Sequence, residues 1–520
     1  MEFTEMLGLY LLVIAVLFCL LCYHQLEKRW YFARIGVPYE TTWPIFGSLP
    51  TAMSQGILQH DINSIHRLGK VHGTYLGTLP NLVVADPEYI KEIFIKQFHK
   101  FPYRMQALYI SDWWYNSVVM ASGEHWRYMR SVITTAFTSG KLRQMQPQIT
   151  ETLSTMTQTL NTMIDASSDS DGTVNIRRIL SALTMDIVSS TSFGHKMNTL
   201  QDLDNEFSHH AKIVSTLNIG SNPLNGLPLV LPCVKRLFRF LDLDYVNKKS
   251  LNYVKDFVHE LIFSRRSESE SQDKKVRDTL QNLMNAHGQE QETDENGNIT
   301  DNSFKFYKQR GLNDDELIAN ALVVLMAGYD TTATTLTWMC YLLATNQHVQ
   351  KKLVDAIDNE IGGEEPTYEN VMNLDYLDWF LSETLRLYPA ANRTGRDAIV
   401  ETDVCGKTVK AGLSITVPIY AIHRMPEYWS EPDRCVPERF APENRENIIP
   451  YTYLPFGAGP RVCLGVRMAQ MLCKLVTVKI LQNFTLDVSD QTELNPVLET
   501  SLLTKPNNGM VLRLQKRNPQ

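Results

Sequence analysis

Phe456-Gly-Ala-Gly-Pro-Arg-Val-Cys463-Leu-Gly465 is the stretch that decides how this chain folds. The apolar residues after it recur at spacings of three and four, which predicts an amphipathic helix that begins just after the cysteine. Backbone amides at the start of a helix favour a thiolate and lower the pKa of a thiol, and a thiolate is a ligand for soft metal ions. We therefore expect Cys463 to bind a metal. The alternative is that Cys463 is a small buried apolar residue, as most lone cysteines are.

The residues around the cysteine suit a flat cofactor that carries an acidic group. Gly457, Gly459 and Pro460 predict a tight loop without bulky side chains, and Gly465 lets the next helix approach closely. Arg461 supplies a positive charge for the acidic group. At every fixed position the stretch resembles the haem-binding signature of the cytochrome P-450 family, Phe-x-x-Gly-x-Arg-x-Cys-x-Gly. In that family the cysteine thiolate is the proximal ligand of the haem iron.

The resemblance implies a haem b cofactor, iron protoporphyrin IX, whose iron is bound by Cys463. It implies cofactor-binding roles for Phe456, Arg461 and Gly465, and also for residues outside this stretch: Trp126, Arg130 and Arg396. Trp126 and Arg130 lie four apart on one predicted helical face, where the family binds a haem propionate. On its own that spacing would favour a core tryptophan beside a surface arginine. The chain departs from the family after Lys100, where Arg104 is followed by Met105 instead of a second basic residue.

A second decisive stretch lies in the middle of a long predicted helix. Asn313 and Glu316 form a capping box, and the helix should run from there to about residue 345, a length of roughly 50 Å. Gly328 would leave room for a ligand, and Thr331 can hydrogen-bond to the carbonyl four residues earlier. Asp330 and Thr331 resemble the acid–alcohol pair with which the family delivers protons during oxygen activation. The alternative is that these small residues only allow close helix packing.

A charge network should support the fold. Glu383 and Arg386 lie three apart on a predicted helix, and Arg439 follows in the order typical of the family. By resemblance these three side chains form a buried network with a structural role.

The composition fits one large catalytic domain. The chain has 520 residues, of which 44% are hydrophobic and 21% are charged, and its net charge is −7. No basic cluster suggests nucleic acid, and the cysteines show no zinc pattern. No internal repeat or Pro-rich linker divides the chain after residue 50, so we assign residues 51–520 to the catalytic domain.

The N-terminus predicts a membrane anchor. Residues 6–23 carry no charge, acidic residues precede them, and Lys28, Arg29 and Arg34 follow. We assign residues 1–28 to a transmembrane anchor and residues 29–50, rich in Pro and Gly, to a hinge. The basic flank places the catalytic domain in the cytosol by the positive-inside rule. A buried core helix is the alternative interpretation of residues 6–23.

The remaining segments give weaker signals. Residues 73–85 predict a β-hairpin, and Pro87 should open a helix. The aromatic stretch 103–121 reads as an irregular loop that could line a pocket or simply pack. Residues 222–241 are too broken to span a membrane, and either dip into its interface or belong to the core. Residues 264–275 and 287–302 read as polar surface loops around a short helix at 278–286.

We therefore expect a mainly α fold with a small β portion, the cytochrome P-450 fold. Residues 137–141, 420–424 and 451–463 are similar to the animal microsomal branch that contains the vertebrate drug- and steroid-oxidising family 3 enzymes and thromboxane synthase. The resemblance implies a monooxygenase of the endoplasmic reticulum membrane that inserts one atom of O2 into a lipophilic molecule, such as a xenobiotic, a steroid or a fatty acid. The implied partners are an NADPH-cytochrome reductase and cytochrome b5. A haem-thiolate isomerase or dehydratase that needs no external electrons, and a non-catalytic haem sensor, are the alternatives.

Overall fold

The computed structural model describes residues 30–43, 45–104, 112–166, 172–215, 240–241, 246–271, 278–288 and 303–517. The predicted anchor and nearly all of residues 222–241 lie outside these ranges. Most of the predicted hinge and of the catalytic domain lie within them.

The fold is mainly helical, as the sequence predicted. The helices are numbered along the chain as α1 (Leu49–Gln55), α2 (Ile57–Leu68), α3 (Pro87–Lys91), α4 (Asp112–Tyr115), α5 (Gly123–Thr134), α6 (Ser139–Ala166), α7 (Ile176–Phe193), α8 (Glu206–Ser215), α9 (Lys248–Ser271), α10 (Thr279–Asn285), α11 (Phe304–Arg310), α12 (Asp314–Thr345), α13 (Gln347–Glu360), α14 (Tyr368–Asn373), α15 (Asp375–Leu387), α16 (Ile419–Ile422) and α17 (Val466–Asn483).

The β portion is small and lies in three sheets. The strands are β1 (Val71–Leu76), β2 (Leu79–Val84), β3 (Thr173–Asn175), β4 (Thr394–Asp397), β5 (Thr402–Val404), β6 (Lys407–Val409), β7 (Ser414–Val417), β8 (Phe484–Asp487) and β9 (Val511–Lys516). The largest sheet has the order β1-β2-β7-β4, in which β2 and β7 are parallel and the other pairs antiparallel. The others have the orders β3-β9-β8 and β5-β6.

The long helix α12 is the central element. Its start is the predicted capping box: the Asn313 side chain accepts a hydrogen bond from the Glu316 amide at 2.8 Å, and the Glu316 carboxylate accepts one from the Asn313 amide at 3.1 Å. Leu322 and Leu325 belong to an apolar core shared with α5, α7 and α9. The other end of α12, from Leu336, belongs to a second core shared with α6, α13, α15 and α17. Residues 327–332 connect the two cores.

Helix α12 is also long and apolar enough to cross a membrane, and in the described part of the chain it is the one helix that meets this test. Most of its apolar stretch is buried by the rest of the protein. This helix therefore belongs to the core.

Several predictions about local structure are confirmed. The hairpin is formed by β1 and β2, Pro87 is the first residue of α3, and the helix predicted at 278–286 is α10. The predicted loop at 264–275 is wrong in its first part, because α9 continues to Ser271. The polar composition there does not exclude a helix, since a helix tolerates charged residues wherever they face water. The aromatic stretch 103–121 contains the short helix α4.

The predicted charge network forms and is buried. Arg386 makes two hydrogen bonds to the Glu383 carboxylate, at 2.7 and 2.8 Å, and both side chains are fully buried. Arg439 approaches the same carboxylate at 3.3 Å. The remaining Arg386 donors reach the backbone carbonyls of residues 423, 432 and 434. The network therefore fastens α15 to the segment 423–439 that precedes the cysteine stretch.

Removing one partner should destabilise the protein strongly. We expect Glu383→Ala to lower the free energy of unfolding by about 3–5 kcal/mol, because it leaves the Arg386 guanidinium buried without its counter-ion. Lys352→Ala is the matched control, since Lys352 pairs with Glu438 through a side chain that is 57% exposed, and such surface pairs contribute roughly 0–1 kcal/mol. Urea unfolding of both variants measures the difference. Equal effects would show that the network does not support the fold.

Candidate active site

A cavity of about 540 Å³ lies between α12 and the cysteine stretch. Its walls are mostly apolar and include the α12 residues from Val323 to Ala327 and the loops around Val118 and Leu502. Trp113 and Trp114 also line it, with ring centroids 4.9 Å apart. An apolar cavity with a few convergent polar groups is the usual form of a site for a small lipophilic molecule.

All the residues that the sequence singled out for the site line this cavity: Trp126, Arg130, Asp330, Thr331, Arg396, Phe456, Arg461, Cys463 and Gly465. They come from α5, α12, β4 and the loop before α17. The fold thus collects residues that are more than 300 positions apart.

The loop that carries Cys463 depends on its glycines. Gly457 and Gly459 have φ angles of 75° and 73°, in the left-handed region that favours glycine. A Cβ on Gly459 would lie 2.1 Å from the carbonyl oxygen of Phe94, so the loop packs directly against backbone there. The Cys463 amide donates a hydrogen bond to the Phe456 carbonyl at 3.0 Å and closes the loop. The helix α17 begins at Val466, two residues later than the sequence predicted.

The Cys463 side chain lines the cavity and is solvent-accessible there, although the protein around the cavity desolvates the thiol. Burial raises its pKa, while the Gly465 amide and the charges of Arg104 and Arg130 lower it, and the balance lies above the ordinary value. The expectation of a lowered pKa for the protein alone was therefore wrong, because desolvation outweighs the helix start. A bound metal ion reverses this balance, because a coordinating thiol is deprotonated.

Five arginines line the cavity, and four of them are close enough to repel one another: Arg104, Arg130, Arg396 and Arg461. Arg104 donates a hydrogen bond of 2.8 Å to the carbonyl of residue 461, and Arg130 donates one of 2.8 Å to the carbonyl of residue 462. Arg461 donates to the carbonyls of residues 119 and 121 and lies 4.6 Å from the Trp126 ring centroid. Arg396 stacks on the Phe94 ring at 4.2 Å. These contacts hold the arginines in place but leave their charges uncompensated.

The crowding of these charges favours an anionic ligand. Burial and the repulsion of its arginine neighbours lower the pKa of Arg461 to about 9, and burial lowers that of Arg104 to about 10. In the described ranges, none of the four arginines forms an ion pair with a carboxylate. The buried Nε atoms of Arg104, Arg396 and Arg461 have no hydrogen-bond partner. Unsatisfied buried donors are costly, so these residues fit a cofactor with two carboxylates.

The number of potential metal ligands also fits haem. Among the described residues, no group of three or more His, Cys, Asp or Glu could hold a metal ion. A single cysteine therefore suits a metal that brings most of its own ligands, as the iron of haem does.

The opposite wall contains the acid–alcohol pair. Asp330 is buried, and its carboxylate pairs with Lys505 and, at 3.5 Å, with Arg177. Thr331 donates a hydrogen bond to the Ala327 carbonyl at 2.6 Å, as predicted from the spacing. Thr331 therefore keeps an acceptor that faces the cavity side of α12.

Gly328 serves a different purpose from the one expected. A Cβ on this residue would lie 3.0 Å from Cγ2 of Val188 on α7. The missing side chain therefore allows α12 and α7 to pack closely, which was the alternative interpretation. Gly328 still contributes backbone to the cavity wall.

Three residues that the sequence did not assign to the site line it or support it. Arg104 lies at the position where the chain departs from the family pattern, yet it lines the cavity. Lys505 pairs with Asp330 of the cavity wall and had no local motif, whereas His423 lies outside the wall, in the segment 420–424 that resembles the family branch. Neutral His423 donates from Nδ1 to the Arg386 carbonyl at 3.1 Å and accepts from the Leu454 amide at 2.8 Å. It thus connects the buried charge network to the segment that leads into the cysteine loop.

Comparison with known proteins agrees with this site. The cytochrome P-450 family model matches residues 37–513. Lithocholate 6-beta-hydroxylase of Mesocricetus auratus is 32% identical over 488 residues, which cover 94% of this chain and 92% of that protein. Cytochrome P-450 3A18 of Rattus norvegicus is 31% identical over 488 residues, covering 94% of each chain. Cytochrome P-450 3A5 of Homo sapiens is 30% identical over 509 residues, covering 98% of this chain and 96% of that protein.

The helical fold and the cavity, in which Cys463 lies beside Arg104, Arg130, Arg396 and Arg461, fit a haem-binding oxidoreductase. The chain belongs to the cytochrome P-450 family and is similar to its animal family 3 enzymes. It is accordingly a cytochrome P-450 monooxygenase, an oxidoreductase that uses haem, O2 and electrons from a redox partner to oxidise a lipophilic substrate.

Removing one arginine should weaken haem retention. A hydrogen bond to a charged group contributes about 1.5–3 kcal/mol, so we expect Arg104→Met to speed haem loss by about 10- to 100-fold. Arg467→Met is the control, because Arg467 is exposed and bonds only to the Ser139 hydroxyl, at 3.3 Å. Transfer of haem to excess apomyoglobin measures the rate. Equal rates in wild type and Arg104→Met would remove Arg104 from the cofactor site.

His423 should make stability depend on pH. Burial and the nearby Arg386 lower its pKa from 6.5 to about 3. As the pH falls from 6.5 towards 3, the unfolded chain binds a proton that the folded chain does not, so stability falls in this window. Between pH 7 and pH 5 the wild type should lose about 2 kcal/mol more than His423→Gln. Urea unfolding at both pH values checks this, and parallel losses would contradict it.

Proposed function

We propose that the chain is a membrane-bound monooxygenase in which Cys463 binds the iron of haem b. Trp126, Arg130, Arg396 and Arg461 would hold the propionates, with Arg104 beside them. Phe456 and Gly465 would shape the loop against the flat face of the cofactor. The observation that carries this proposal is a cysteine facing an apolar cavity beside four arginines for which the described part of the chain supplies no carboxylate partner.

The reaction balances as RH + O2 + NADPH + H⁺ → ROH + H2O + NADP⁺. Haem supplies the redox chemistry that activates O2. The protein binds the substrate against the apolar wall, excludes bulk water and supplies protons. Among the described residues that line the cavity, Asp330 is the only carboxylate, so it is our candidate for accepting a proton from the solvent side. The Thr331 hydroxyl, next in the chain, would pass that proton into the cavity.

The membrane and the electron donor belong to the proposal as well. Residues 1–28 would anchor the chain in the endoplasmic reticulum, with residues 29–50 as a hinge and residues 51–520 as the catalytic domain in the cytosol. The hinge region and α1 expose large apolar side chains, which supports contact with lipid: Trp30, Trp43, Phe46 and Met53. An NADPH-cytochrome reductase would supply the electrons, with cytochrome b5 as a second donor.

A steroid-like molecule is our first choice of substrate. The name of the hamster relative states that it hydroxylates lithocholate. Arg393 also lines the cavity, but Asp61 binds its guanidinium at 2.6 and 2.7 Å and neutralises it. The substrate side therefore offers an apolar surface without an uncompensated charge. Such a wall recognises the hydrocarbon body of a steroid rather than its acidic group.

The decisive experiment is a reduced carbon monoxide difference spectrum of the full-length protein, with Cys463→Ser beside it. We expect a Soret band shifted far to the red that disappears in the variant, because the shift depends on the thiolate. A spectrum typical of histidine ligation would overturn the assignment of Cys463.

The same preparation tests the reaction. With reductase in lipid vesicles, lithocholate should be hydroxylated only when NADPH is present. Turnover that is independent of NADPH would instead favour the isomerase or dehydratase. NADPH consumption that no lipophile stimulates would favour a haem sensor.

A further inference from the structure

The buried carboxylate of Asp330 lies between two cations from distant parts of the chain. Lys505 Nζ donates a hydrogen bond to Oδ2, and both side chains are almost completely buried. Arg177 on α7 approaches Oδ1 at 3.5 Å and is partly exposed. Tyr329 is the other titratable group near Asp330, and burial followed by the Asp330 charge raises its pKa. Lys505 is therefore the closer of the two cations and the more deeply buried.

Lys505 belongs to a loop that also forms part of the cavity wall. Ser501, Leu502 and Leu503 line the cavity directly. The Asn392 backbone and side chain donate hydrogen bonds to the carbonyls of residues 502 and 501, at 3.1 and 2.9 Å. The Trp338 indole of α12 donates to the Thr504 carbonyl at 2.6 Å. These bonds hold the loop against α12, so the position of the Lys505 ammonium group is well defined.

We propose that Lys505 is a positioning residue for proton delivery. A carboxylate buried beside an apolar cavity would take up a proton and stay neutral, because burial disfavours the charged form. The Lys505 ammonium group keeps Asp330 ionised and fixes it beside Thr331. Asp330 can then accept a proton from the solvent side and release it into the cavity, while Lys505 keeps its own proton throughout. This inference rests on the proposed role of Asp330.

The test varies the charge and the size of the side chain at position 505. Lys505→Met removes the charge and retains most of the volume, Lys505→Arg retains the charge, and Lys505→Gln keeps a hydrogen-bond donor without a charge. Lys474→Met is the matched control: Lys474 is also fully buried and pairs with Asp378 at 2.9 Å, but it does not line the cavity. All variants are studied as full-length haem-containing protein.

The first readout is spectroscopic and independent of turnover. Infrared difference spectra of Lys505→Met against wild type at pH 7 should show a new carbonyl stretch of a protonated carboxylic acid. The band should be absent from Lys474→Met and should disappear in Lys505→Met combined with Asp330→Asn. A spectrum without this band would overturn the claim that Lys505 keeps Asp330 ionised.

The second readout is the share of consumed NADPH that yields hydroxylated lithocholate instead of hydrogen peroxide. We expect Lys505→Met and Lys505→Gln to lower this share about tenfold, which is less than the full effect of losing an acid–base group. Lys505→Arg should restore most of it, and Lys474→Met should match wild type. If Lys505→Met does not retain haem, the coupling measured in Lys505→Gln takes its place as the test. Wild-type coupling in Lys505→Gln, or equal uncoupling in Lys474→Met, would overturn the proposal.

Asp330→Asn distinguishes a failure of the role proposed for Lys505 from a failure of the role proposed for Asp330. Uncoupling in Asp330→Asn together with normal coupling in the Lys505 variants would refute only the role of Lys505. Normal coupling in Asp330→Asn would refute the proposed role of Asp330 itself, and the inference about Lys505 with it.

Discussion

The constraint on which this structure depends is a group of four arginines around one cavity, two of them buried and none with a carboxylate partner among the described residues. Two of these guanidinium groups have a pKa of about 9 or 10, which shows how strongly burial and repulsion disfavour their charge. A folded chain tolerates such an arrangement when a ligand supplies the missing negative charge. In the proposed site, cofactor binding and stability of the cavity wall would therefore be coupled, because the ligand that brings the chemistry would also neutralise the wall. The loop before α17 carries Arg461, α5 carries Arg130 and β4 carries Arg396, so the fold brings these cations together.

Helix α12 places a carboxylate and hydroxyl groups in the centre of an otherwise apolar protein. Both ends of the helix are held by apolar cores, so the polar residues of its middle do not have to stabilise it. Thr331 is satisfied by its own helix, and Asp330 by side chains from α7 and the C-terminal loop. The helix thus carries a buried charge whose compensation comes from elsewhere in the sequence. This separation lets neighbouring elements control the behaviour of the acid without changing the helix itself.

The sequence predicted what is encoded locally and missed what depends on contacts between distant segments. The capping box at Asn313 and the Thr331 hydrogen bond follow from spacings of three and four residues, which fix geometry on any helix. Lys505 acts through Asp330, which is 175 residues away, and no local pattern marks it. His423 lies in the segment 420–424 that resembles the family branch, but its bonds to residues 37 and 31 positions away could not be predicted from that segment. The thiol pKa was misjudged for the same reason, because desolvation depends on the whole surrounding protein. Gly328 shows the converse: it lines the cavity, as the sequence suggested, but its close contact with Val188 on α7 depends on packing between distant segments.

Two arginines on either side of the start of β4 show how the fold assigns different tasks to the same side chain. Arg393 and Arg396 both line the cavity, yet only Arg393 has a carboxylate partner, Asp61 on α2. Arg396 stacks on Phe94 and leaves its Nε without a hydrogen-bond partner. A second uncompensated cation at Arg393 would attract anions to the part of the cavity that the substrate needs, and it would weaken the preference for lipophilic molecules. Neutralising Arg393 while leaving Arg396 available therefore restricts the positive field to the cofactor side. In the proposed site, the selectivity of the cavity would thus depend on Asp61, a residue that does not itself line the cavity.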